Sequence, residues 1–375
     1  MDIKKINIDG IKFIKKDSYY VINRFDKYFR IGFKEAEILK DLIDKKEKEF
    51  ILVEHQITDE DLKNLLNSFI SVGIIGNEQK EKKNMLFYKV KLFNPNSILD
   101  NFIKIFFSSS KFNLFLLFFS LIFITFGLIC FINNFNGFTS EFLSGFKFKD
   151  YVGFYFLTIL AIFLHELGHA ISCKYFGGEV KEIGFLLIFF SPALYCDVSG
   201  IRLFENKREK IITLLAGIFV QGLIFSFFVC LYVFDIWKTS FCATFAIWNF
   251  TMIFSNIIPV IKLDGYWILS TIMDIPNLYE KSFKLVLHPK NIDGILFDEK
   301  ELAKKNIIRI YGYISISFIF ISIILGFSGL YYLYHKLDGP FKYAILVFEA
   351  LMYSLILIFF VHFLYKLFKN KTQKG

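Results

Sequence analysis

Apolar and polar positions change character at about residue 100. Before it, apolar residues come in short runs broken by charge; after it, they come in blocks of twenty or more. In the first part, IKFI, SYYVINRF and KYFRIG read as strands. Residues 33–44 read as a helix with Ala36, Leu39, Leu42 and Ile43 on one face. Thr58 with Asp61 three residues on predicts an N-cap, a weaker cousin of the capping box. Leu62, Leu65, Leu66, Phe69 and Ile70 carry the stripe of a second helix, closed by Gly73. Residues 85–93 are again strand-like. The sum is a small N-terminal α+β, winged-helix-like domain over residues 1–100.

A membrane crossing needs about 20 apolar residues. Runs of that order lie at 112–132, 151–173, 211–234, 241–261, 308–334 and 341–367. The apolar stretch 184–196 is shorter and broken by Pro192, so it reads as re-entrant or buried between helices. The expected fold is a polytopic α-helical membrane protein of about six transmembrane helices with one short re-entrant segment. Residues 101–275 would form the transmembrane core, 276–306 a cytoplasmic loop, and 307–375 a C-terminal helix pair with a basic tail. Glu349 falls within the last span, where a carboxylate needs a polar contact facing the bundle or a cavity.

Composition agrees: the chain is 55% hydrophobic and 19% aromatic, with 51 Phe, well above a soluble domain. Its net charge of +9 sits largely in segments flanking the spans. The N-terminal part, the loop RLFENKREK, residues 281–309 and the tail KLFKNKTQKG are rich in Lys and Arg and fall on one side. The positive-inside rule makes that side cytoplasmic, with both termini and the site opening there. The basic excess therefore speaks for a lipid bilayer rather than nucleic acid, for which no motif stands out. The five Cys form no C-x-x-C pair and suggest no disulfide framework. The start MDIKKINIDGIKF lacks the apolar core of a signal peptide.

Candidate chemistry lies in the second apolar run, as His165-Glu166-Leu167-Gly168-His169. On a helix, positions i and i+4 share a face, so both imidazoles can reach one metal, and Glu166 can serve as general base toward a water there. The bland alternative is two core histidines four apart. With 6 His in the chain, the full pattern arises by chance in on the order of one such chain in a few hundred. Catalytic zinc takes three protein ligands and keeps one position open. Asp264, in Asn256-Ile-Ile-Pro259-Val-Ile-Lys-Leu-Asp264-Gly265 at the end of the fourth crossing, is a carboxylate at matching depth. It is a candidate third ligand; a helix cap at the interface is the alternative.

HELGH in one span and N-x-x-P…L-D-G in a later one resemble the site-2 protease (M50) family of intramembrane zinc metalloproteases, over residues 154–270. The resemblance implies a Zn2+ cofactor held by His165, His169 and Asp264, Glu166 activating water, and Asn256 holding the substrate backbone. Ile261, Lys262 and Gln221 depart from the family pattern, Lys262 reading as a cation that snorkels to the interface. The stretch through Pro192, Tyr195, Asp197 and Ser199 resembles peptide zinc metalloproteases of peptide-maturation clusters. There Asp197 reads as a loop or cap residue, or as a metal or substrate contact. The N-terminal part resembles PqqD-type peptide-recognition domains.

The expected function is a zinc metalloendopeptidase acting on a membrane-associated or small ribosomally made peptide. Expected partners are that peptide or membrane-protein substrate, the bilayer, and a peptide-modifying enzyme or transporter of the same pathway. Two alternatives remain: regulated proteolysis of a membrane-anchored regulator, and a non-proteolytic export or immunity factor with structural zinc. A structural site would need four ligands.

Overall fold

The computed structural model describes residues 11–15, 19–24, 27–76, 87–144, 148–188, 191–237, 239–289 and 299–336, with isolated positions between 343 and 361. The chain is mostly helical and divides into two units. The first comprises residues 1–129 and 145–223, the second 130–144 and 224–375.

The first unit begins with an antiparallel sheet of β1 (Lys12–Lys15), β2 (Tyr20–Arg24) and β3 (Lys27–Ile31), in that order. The helices α1 (Phe33–Ile43), α2 (Lys48–Glu54) and α3 (Asp59–Val72) follow. Ile22, Leu39, Ile51, Leu62, Leu66 and Phe69 form their shared core. α1 buries Ala36, Leu39 and Leu42, as its spacing requires. The Thr58 hydroxyl accepts from Asp61 N at 3.1 Å, while the Asp61 carboxylate accepts from Thr58 N at 3.0 Å. That completes a capping box with Asp at its third position. Gly73 ends α3 at φ 86, a left-handed value that glycine adopts without strain. α2 is an addition to the expected elements, because its run FILV has no helical period and buries only Ile51. Arg24 is 1% exposed and donates from Nη1 to the Ile74 carbonyl at 2.7 Å and from Nη2 to that of Gly76 at 2.9 Å. The sheet and the end of α3 are thus tied together.

The strand expected at 85–93 exists as β4 (Phe87–Phe93), but it does not join the N-terminal sheet. It pairs with β5 (Ile183–Ile188), which pairs with β6 (Ser191–Cys196), all antiparallel. The stretch expected to be re-entrant is therefore a β-hairpin. Lys89 of β4 reaches Glu182 at 2.7 Å, and the Tyr195 hydroxyl donates to the same carboxylate at 2.8 Å. Among the described residues β6 is an edge strand, the position in a sheet that tolerates Pro192.

α4 (Asn96–Phe106) buries Leu99 beside Ala170 and Cys173 and leaves Ile98, Ile105 and Phe106 exposed. Next come α5 (Ser110–Asn133), α6 (Phe135–Ser144) and α7 (Phe148–Tyr175). After the hairpin and a 3-10 turn (Ser199–Leu203) come α8 (Lys207–Val233), α9 (Ser240–Ile257), α10 (Asp264–Met273), α11 (Leu278–Leu287), α12 (Glu299–Ala303) and α13 (Lys305–Lys336). Among the described residues, five helices are long and apolar enough to span a membrane: α5, α7, α8, α9 and α13. They match the first five expected crossings. The sixth, at 341–367, and Glu349 lie outside the described residues, apart from isolated helical positions from Tyr343 to Val361. Between the first two expected spans lies α6, whose fully buried Phe138 packs on Phe131 and Tyr232 in the second unit.

In the N-terminal domain the Asp41 carboxylate accepts from His55 at 2.7 Å and meets Lys46 at 2.7 Å. Burial pushes its pKa up, but the bonds from Lys46 and His55 outweigh that and hold it below the ordinary carboxylate value. A depressed folded pKa stabilises the fold above the unfolded value, about 4, and that stability is lost as pH falls through the folded one. Asp41→Asn should therefore flatten the acid-side loss. Denaturant midpoints between pH 6 and pH 2, read by hydrogen exchange of peptides from α1 and α3, check this; equal slopes would refute it.

Candidate metal centre

α7 carries His165, Glu166 and His169 in its second half. The i, i+4 spacing brings the two imidazoles together, with Nε2 atoms 3.1 Å apart and ring planes at 83°. Both residues are buried, at 7% and 5% exposure. His169 Nδ1 lies 2.8 Å from the Thr213 carbonyl on α8. A carbonyl only accepts, so Nδ1 carries the proton and Nε2 turns its lone pair toward His165. This is how a histidine ligand is oriented by the partner of its other nitrogen. Thr213 is fixed in turn, its hydroxyl donating to Glu209 O at 2.9 Å.

One turn along α8, Gly217 leaves bare backbone in front of the rings. A Cβ there would lie 2.6 Å from His165 Nε2 and collide with His169 Nε2 as well. Gly168 lets the two helices approach, since its Cβ would stand 2.8 Å from the Ala216 carbonyl. Two buried imidazole nitrogens directed at common space, one with its tautomer fixed, suit a small borderline cation such as zinc. Thr213 and Gly217 were missed in the sequence. Their one signal is a threonine and a glycine four apart in the third span, where Gln221 drew attention instead; Gln221 is fully buried on the same helix.

Glu166 has a different partner. Its Oε2 accepts from the Cys196 backbone N–H at 2.9 Å, so the last residue of β6 holds the carboxylate. The Cys196 thiol is pushed up by burial, and further by the Glu166 carboxylate. Asp197 lies in the loop after β6, where its Oδ1 accepts from Ser199 N at 2.9 Å. Burial raises its carboxyl pKa, but the Ser199 bonds outweigh that and lower it.

Asp264 and Asn256 belong to the second unit. Asn256 lies in the last turn of α9, 6% exposed. The chain breaks at Pro259 and resumes at α10, whose first residue is the half-buried Asp264. A negative side chain suits a helix N-terminus. Gly265 presses against the α9 end: its Cβ would meet the carbonyls of Ile257 and Asn256, the latter at 2.7 Å. Lys262, expected to snorkel, places its ammonium 5.2 Å above the Tyr279 ring.

Comparison with known proteins gives two matches. The family described as Peptidase M50B-like matches residues 146–262, from the start of α7 to the loop before Asp264. YydH of Bacillus subtilis (strain 168), named as a peptide zinc metalloprotease, is 34% identical over 197 residues. That match covers 51% of this chain and 75% of the relative. No solved structure matches. With HELGH on a membrane-length helix and a relative matched over three quarters of its length, the chain belongs to the site-2 protease (M50) family of zinc metalloproteases.

Proposed function

We propose that the chain is an intramembrane endopeptidase that cleaves a small ribosomally made peptide, with zinc held by His165, His169 and Asp264. The family implies the zinc and the hydrolysis. The observation that carries the ligand reading is the His169 imidazole, its Nδ1 on the Thr213 carbonyl and its Nε2 beside that of His165. Catalytic zinc takes three protein ligands, and the Asp264 carboxylate has the chemistry of the third. Zinc, when bound, supplies Lewis-acid polarisation of a carbonyl and acidifies water.

The chain's own residues do the rest. Glu166 takes the proton of the attacking water and passes it to the leaving amine. The Cys196 N–H holds one oxygen of its carboxylate meanwhile. A substrate segment that unwinds can add to β6, an edge strand among the described residues, pairing its backbone along the strand whose last amide holds Glu166. The Asn256 amide offers both a donor and an acceptor to the substrate backbone. Residues 11–76, with their own core and, among the described residues, a sheet with two edges, deliver the peptide; the name of the Bacillus relative also carries the word peptide. The basic flanks support a site that opens to the cytoplasm from the cell membrane, with both termini on that side. Peptide-modifying enzymes or a transporter of the same pathway are the fitting partners.

Glu166→Gln should lower hydrolysis of a candidate precursor peptide by about 10²–10⁴-fold while the protein still retains zinc. Wild-type turnover in that variant would refute the base assignment. Gly217→Ala adds a methyl against both imidazoles and should cut zinc retention by about tenfold or more, read by metal analysis after graded chelator. Full retention would show that the rings do not face that backbone. Removing residues 1–76, and so keeping β4 in its sheet, should weaken peptide binding by about tenfold or more while hydrolysis at saturating peptide persists. Unchanged affinity would remove the delivery role.

A further inference from the structure

α13, the fifth span, touches the loop that leads to Asp264. Tyr311, in its second turn and 8% exposed, donates its hydroxyl to the Pro259 carbonyl at 2.7 Å. Pro259 stands just past the end of α9, where carbonyls lose their helical partners. At membrane depth such a group must find a donor within the protein.

The loop 258–263 joins Ile257 of α9 to Asp264 of α10 and is held at three points. At its far end Gly265 lies against the α9 carbonyls. In its middle Tyr311 holds Pro259. Beside Asp264, Lys262 sits over Tyr279. Tyr311 also shares a buried cluster with Tyr266, Ile275, Leu278, Leu285 and Ile308. Its neighbour Gly312 abuts α11, where a Cβ would stand 2.7 Å from the Ser282 carbonyl. Both contacts keep the phenol in place.

We infer that Tyr311 is a positioning residue for Asp264: its hydroxyl fixes the course of the loop and so the direction of the carboxylate. The inference rests on Asp264 being a zinc ligand. It gives the fifth span a part in the site, because the hydroxyl comes from a helix outside the family match at 146–262.

The full-length protein tests this as wild type, Tyr311→Phe, Asp264→Ala and the double variant. Zinc retention against graded chelator is measured with peptide hydrolysis and thermal unfolding of the zinc-free forms. Tyr311→Phe keeps the ring and should lose zinc at about tenfold lower chelator, with unfolding of the zinc-free form unchanged. Asp264→Ala should lose more, leaving the weaker binding of two histidines. In that background Tyr311→Phe should add nothing, the mark of residues acting as one unit. Wild-type retention in Tyr311→Phe, with zinc lost from Asp264→Ala, overturns the inference and leaves the ligand reading intact. Wild-type retention in Asp264→Ala overturns both. An additive loss in the double variant shows that Tyr311 acts elsewhere and overturns the inference alone.

Discussion

The contact between His169 and the Thr213 carbonyl needs α7 and α8 nearly backbone to backbone. Lipid tails are as apolar as the side chains facing them, so hydrophobic burial does little to drive two spans together. Small residues and polar contacts across the interface do it instead. Gly168 on α7 gives the Ala216 carbonyl room, and Gly217 on α8 gives the two imidazoles room. One glycine brings the helices close; the other keeps their closeness from closing the site. The candidate metal centre depends on both.

Irregular backbone is costly within a membrane unless it lies against protein or a cavity. Two irregular places bear on the candidate site. The hairpin of β5 and β6 is backed by β4 and ends on Glu166. The break after α9 is secured by a phenol from α13 and by a glycine at the start of α10. In both, what leaves the helix is tied by a named donor or a bare backbone.

Much was legible in the sequence because the relevant rules are local. The five described spans follow from run length, the capping box from Thr58 and Asp61, and the shared face of His165 and His169 from the helical period. The pairing of β4 with β5 was not legible, since about ninety residues separate them and strand composition names no partner. α6 falls between two expected spans, where no element was predicted, and α2 in a run without a period. The contacts that orient the site were the least visible. Thr213 and Cys196 act there through a carbonyl and an amide, groups that every residue but proline carries in full.

That last feature bears on how the site can drift over generations. If the donor to Glu166 is the main chain at position 196 and the acceptor for His169 is the main chain at 213, the side chains there are free of that duty. Substitutions at either place leave the orienting contact standing as long as strand and helix keep their shape; at 196 proline alone would silence the amide. Selection on these two contacts thus acts on backbone geometry, and residue identity is a poor record of it.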